Sequence, residues 1–156
     1  MALTTIQFTQ EQAREIAEVS PGDVRAWRKA VPYLADKPGK AARFTFADLV
    51  GLAITSELTH RFGARISDIG ISVDKLFREL ADARPAHLEG FIALIGSASA
   101  DLLTIDDFST RQISEPTLVV PCNPIVSRIG ARMMPSTPSS AQSALPFPPQ
   151  ILKAGR

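Results

Sequence analysis

At 156 residues, 45% of them apolar, the chain has enough material for one ordinary domain with a true core. Its net charge of +1 excludes a global field that would draw in nucleic acid, so any polyanion binding must come from a local patch. A single cysteine, Cys122, excludes an internal disulfide and a multi-cysteine metal cluster.

The first residues carry no basic start followed by an apolar run, so no signal peptide is expected. No apolar stretch approaches the ~18 residues of a membrane span, so no membrane partner is expected and the expected location is cytoplasmic. In chain order, Thr9-Gln-Glu-Gln12 reads as a capping box, a Thr hydroxyl for the helix start and a Gln three residues on to reach back. That helix places Ala13, Ile16 and Ala17 on one face and is expected to end near Glu18 or Val19. Ser20 opens a second helix at once, with Pro21 at the first helical position and Asp23 complementing the positive helix start. Val24 and Trp27 fall at i, i+3 spacing and turn inward, leaving Arg25, Arg28 and Lys29 on a different arc. Two short helices joined by a turn of about three residues make a helix-turn-helix pattern.

Between Val31 and Arg43, Pro32, Pro38 and Gly39 punctuate a loop without apolar periodicity. From Arg25 to Arg43 there are six cations (Arg25, Arg28, Lys29, Lys37, Lys40 and Arg43) against one anion, Asp36, which is +5 in a chain whose total is +1. Attached to a cationic helix, such a loop suits a wing that straddles a phosphate backbone. Thr45-Phe-Ala-Asp48 is a second capping signal. The helix behind it carries the stripe Phe46, Leu49, Val50, Ala53, Ile54 and Leu58 and closes at Phe62-Gly63. Ser67 is expected to cap a fourth helix with Ile69, Val73, Leu76, Phe77 and Leu80 inward. Gly70 is its weak point, at ~1 kcal/mol against Ala.

Pro85 marks a boundary. Phe91–Ile95, Asp101–Ile105 and Thr117–Val120 are short apolar runs between turn residues and read as strands, and Asn123-Pro124 starts a short helix. Residues 135–149 hold five prolines among Ser, Ala and Gln, so the tail is expected to be disordered. The organisation is therefore residues 1–84 as a mainly α domain of four helices plus wing, 86–133 as a small α+β dimerisation or regulatory region, and 134–156 as a Pro/Ser-rich tail.

The order of Phe8-Thr-Gln-Glu-Gln-Ala13, Val24-Arg25-Ala26-Trp27, Arg43-Phe-Thr-Phe46 and Phe62-Gly63 with Ser67-Asp-Ile69 resembles the MerR family of winged helix-turn-helix transcription regulators. The resemblance covers the N-terminal ~80 residues. It implies that Arg25 is a recognition-helix DNA contact and Arg43 a wing contact to phosphate. Pro85 stops the chain where the family's coiled coil would continue, so homodimerisation is assigned to residues 86–133, whose apolar runs exceed what a three-strand sheet can hide. Members that sense metals use several cysteines, and Cys122 alone cannot form such a site.

No catalytic constellation, cofactor motif or metal-ligand spacing is found. His60 and His87 lack a neighbouring nucleophile, Gly96-Ser-Ala-Ser-Ala100 reads as a turn, Asp106-Asp107 as an acidic hairpin end, and Cys122 as a packed small residue. The expected function is sequence-specific binding of double-stranded DNA in transcription regulation, with a nucleoid-associated location. The alternatives are an architectural factor of excisionase-like, plasmid or phage type, and a winged-helix module that meets an acidic protein partner. DNA-binding residues are expected at Arg25, Arg28, Lys29, Lys37, Lys40 and Arg43.

Overall fold

The computed structural model describes residues 6–37 and 41–134; Lys40 and the Pro/Ser-rich stretch expected to be disordered lie outside the described residues. The chain is mainly helical, with a small antiparallel sheet in its C-terminal part. Helix α1 (Gln10–Ala17) starts on the expected capping box: the Gln12 N–H donates to Thr9 Oγ1 at 3.2 Å and the Thr9 N–H donates to Gln12 Oε1 at 2.9 Å. Helix α2 (Pro21–Ala30) starts on the Ser20 hydroxyl, which accepts from the Asp23 N–H at 3.1 Å. A single turn, α3 (Pro32–Ala35), follows. Helix α4 (Phe46–Ser56) is capped by Thr45 and Asp48, then widens into a π-helical turn over Glu57–Arg61.

Helix α5 (Ile66–Asp82) begins one residue before the expected cap; Ser67 makes no cap and donates instead to Asp68 Oδ1. Pro85 then opens a 3-10 turn, Pro85–Gly90, that leads into strand β1 (Phe91–Ile95). Strand β2 is Ala100–Thr104 and strand β3 is Leu118–Pro121. The sheet order is β2-β1-β3, with Ile95 opposite both Ala100 and Leu118. Gly96 and Ser99 close the β1–β2 hairpin through the Gly96 N–H and Ser99 carbonyl at 2.9 Å, as the turn reading had it.

Asp106-Asp107 is not a hairpin end. Thr104 caps a short helix, α6 (Ile105–Thr110), and the two acids fill its first turn, where they complement the helix dipole. Helix α7 (Cys122–Met133) begins one residue before Asn123, with Pro124 still in the first turn, where a missing N–H costs nothing.

One contiguous core runs through the described residues, from Ala13 to Ile129. Trp27, Phe44, Leu49, Ile54, Leu58 and Phe77 fill its N-terminal part, while Leu88, Ile95, Cys122 and Ile129 close it from the C-terminal side. Alternation along β1 sends Ala93 and Ile95 into this core, and α5 packs across β1 and β2. Of the apolar side chains that prompted a dimer in residues 86–133, Leu94, Ile95 and Val120 are buried within one copy, Phe91, Ile92, Leu102, Leu103 and Leu118 are half-buried, and Ile105 and Val119 are exposed. Ile92, Leu94, Leu103 and Val119 fall on the opposite sheet face, which α6 and the segment after it partly cover; Leu94 there is only 5% exposed. Both faces being apolar explains why β1 reads as an unbroken run rather than an alternating one.

Candidate nucleic-acid interface

Helices α1 and α2 are joined by Glu18 and Val19. Glu18 takes the left-handed conformation, with φ at 56°, that glycine usually supplies at a helix end. Two side chains hold this turn. Arg14 donates to the Val19 carbonyl at 3.3 Å, and Arg132 of α7 pairs with the Glu18 carboxylate while donating to the Ile16 carbonyl at 3.3 Å.

Val24 and Trp27 seat α2 on the core at 3% and 2% exposure. The opposite side presents Gly22, Arg25, Ala26 and Lys29, all exposed. Their spacing is i, i+3, i+4, i+7, so they form one stripe of the helix, with two cations, two small residues and no acid. Internal packing does not require glycine at 22, since a Cβ there would meet only Ser20 Oγ, at 3.8 Å. A helix glycine that nothing inside the fold demands leaves room for something approaching from outside.

The other cations of the +5 cluster have different surroundings. Arg28 is half-buried; its guanidinium donates to Gln10 Oε1 and, at 2.7 Å, to the Lys37 carbonyl, tying α1 and the loop to α2. Its Nε is buried with no partner among the described residues. The Lys37 ammonium lies 3.1 Å from Asp48 Oδ2, donates to the Arg43 carbonyl at 2.9 Å, and rides over the rings of Tyr33 and Phe44 at 5.4 and 5.6 Å. Arg43 is exposed and donates to the Ala41 and Ala42 carbonyls. Lys40 lies outside the described residues. Arg25 and Lys29 are therefore presented to solvent, Arg28 and Lys37 make internal contacts, and Arg43 is exposed while also bonded to its own loop.

Sequence reasoning missed the group beneath the loop. Asp48, 1% exposed, accepts from the Tyr33 hydroxyl at 2.7 Å and the Thr45 N–H at 2.8 Å besides pairing with Lys37. Tyr33 stacks on Phe77 with ring centres 5.2 Å apart, and its backbone N–H donates to Asp74 Oδ1. Burial, then the hydrogen bond to Asp48, push the Tyr33 hydroxyl pKa well up, so it stays a donor. Beyond this hub, Phe8 and Phe44 exchange backbone hydrogen bonds of 2.8 and 2.9 Å, fastening the loop's exit to the lead-in segment. The only advance signal was Asp48 itself, read as a cap alone.

His60, in the π-helical turn, reaches α2: its Nε2 lies 3.0 Å from Asp23 Oδ2. Partial burial works against the Asp23 charge, but hydrogen bonds from Ser20 and His60 outweigh it and hold that carboxyl below its usual range. Among the described residues no group of three or more His, Cys, Asp or Glu is arranged to hold a metal ion, and no helix is long and apolar enough to cross a membrane. No protein-family profile, curated protein or solved structure matches the chain.

Proposed function

We propose that this chain is a sequence-specific double-stranded DNA-binding protein that regulates transcription, using a winged helix-turn-helix of the kind found in the MerR family. The observation that carries the reading is the outward stripe of α2. A B-DNA major groove is about 12 Å wide and admits one α-helix. A stripe of Gly22, Arg25, Ala26 and Lys29 can approach its floor closely and carries no acidic side chain of its own. Arg25 reads base edges, Lys29 and Arg43 meet phosphates, and Lys40 adds a further phosphate contact. Arg28 and Lys37 position the elements that carry these contacts.

In this reading two copies pair through residues 86–133 to span two half-sites, as single modules of this size commonly do. Ile105 and Ile113, 66% and 49% exposed, are apolar side chains of that region left at the surface. The protein would then sit on the nucleoid. Selection from random duplex DNA tests the reading: a regulator enriches one motif, with two-fold symmetry if the copies pair. Salt-dependent binding without a motif would point instead to an architectural factor, and no enrichment at all to a protein-interaction module.

A further inference from the structure

The π-helical turn Glu57–Arg61, which carries His60 to α2, also opens on a second feature. Between this turn, the start of α7 and strand β3 lies a cleft of about 200 Å³. Its walls are mostly apolar: Phe62, Val119, Val120, Pro121, Pro124 and Ile125. Phe62 and Val119 are 64% and 42% exposed there, an unusual disposition for side chains of their size.

The charged groups of the cleft are Glu57, Arg61 and Arg128. Each oxygen of the Glu57 carboxylate is taken by one arginine, Arg61 Nε at 3.1 Å and Arg128 Nη1 at 3.0 Å. Two cations against one anion leave +1, and both guanidiniums keep further N–H groups to donate. Pro121, Pro124 and Ile125, at the start of α7, form the apolar wall beside these charges. An apolar wall and an uncompensated cation converge on one class of occupant.

We propose that this cleft binds a small aromatic carboxylate, its ring against Phe62, Val119 and Ile125 and its carboxylate on Arg61 and Arg128. A cavity of about 150 Å³ suffices for benzene, so one ring with a carboxylate matches the space here. The ligand has a mechanical route to α2. The same five-residue turn supplies Glu57 and Arg61 to the cleft and His60 to Asp23.

The test uses no DNA, so it stands or falls separately from the DNA-binding reading. The full chain is titrated with sodium benzoate, and with benzamide as the neutral isostere, at ~150 mM salt while backbone amides are followed by NMR. Benzoate should shift the Phe62, Val119 and Ile125 amides saturably, with a dissociation constant on the order of 1 mM, and the Asp23 amide should move with them. Benzamide should bind about tenfold more weakly. Arg61→Gln, at a position whose side chain is 76% exposed and so tolerant of change, should weaken benzoate about fivefold and leave benzamide unchanged. The proposal is overturned if benzoate and benzamide bind alike or if Arg61→Gln has no effect on benzoate. It is equally overturned if those amides shift with protein concentration alone, which assigns the cleft to a second copy. Shifts there on removal of residues 135–156 would assign it to the chain's own tail.

Discussion

Gly70 of α5 lies so close to the end of α2 that a Cβ at this position would sit 2.5 Å from the Ala30 carbonyl oxygen. The glycine that looked like a defect in a helix is the contact point that lets the candidate recognition helix rest on α5. Gly51 does the same for Phe77, whose ring would be 2.4 Å from a Cβ there.

Gly70→Ala should therefore destabilise the protein, by about 1–3 kcal/mol, although alanine is the better helix former by ~1 kcal/mol. A chemical denaturation midpoint measures it. A midpoint at or above that of the parent would mean that α2 does not rest on Gly70.

Trp27→Ala should cost ~3–5 kcal/mol, since an indole 2% exposed leaves a cavity that its neighbours cannot fill. Thermal melts and tryptophan fluorescence report on the same residue: the parent's emission should be blue-shifted and should move red on unfolding. Emission from the native protein at the wavelength of free indole in water would contradict the burial.

Arg25 and Lys37 should behave as opposites. Arg25→Ala should leave the melt near the parent's and cost ~1–3 kcal/mol of specific DNA binding. Lys37→Met should cost about 3 kcal/mol of stability, because Asp48 at 1% exposure loses its cation while staying buried. Its effect on the salt dependence of binding should be small, whereas Lys40→Ala should flatten the salt slope by about one unit. Fluorescence anisotropy across a salt series, beside melts of each variant, separates these cases. An unchanged melt for Lys37→Met is the outcome that would remove Lys37 from its structural role.

Cys122 is fully buried, and that burial pushes its thiol pKa up to about 11. The native thiol should react with an aromatic disulfide reagent at pH 8 only as fast as the protein opens, and immediately in denaturant. The sign of the linkage follows. An unfolded cysteine ionises near 8.5, so between about pH 8.5 and 11 the unfolded state loses its proton first and stability falls as pH rises. Rapid stoichiometric labelling of native protein would show the thiol to be accessible.

The helix starts at Thr9, Ser20 and Thr45 were legible because capping is local chemistry, written within four residues. The inward placement of Val24, Trp27, Leu76 and Phe77 was legible because helical period alone fixes it. The fate of the cations was not. Arg28 meets Gln10 from 18 residues away and Lys37 meets Asp48 from another element, and charge in a sequence carries no sign of its distant partner. The same limit hid His60 and Asp23. The Asp106-Asp107 pair misled because acids favour a helix start as much as a turn, and Thr104 just before them was the deciding residue.

The placement of α7 bears on portability. Arg132 holds the Glu18 turn, and Ile129, Cys122 and Leu88 share one core with Trp27 and Phe77. Amides of α2 should accordingly exchange with solvent no faster than those of β1, because the two elements open together rather than in turn. A fusion carrying only residues 1–84 would expose the surface that α7 covers on α1 and α4, and its α2 would inherit a frayed support. Engineers who want this helix elsewhere must transplant the chain through Met134.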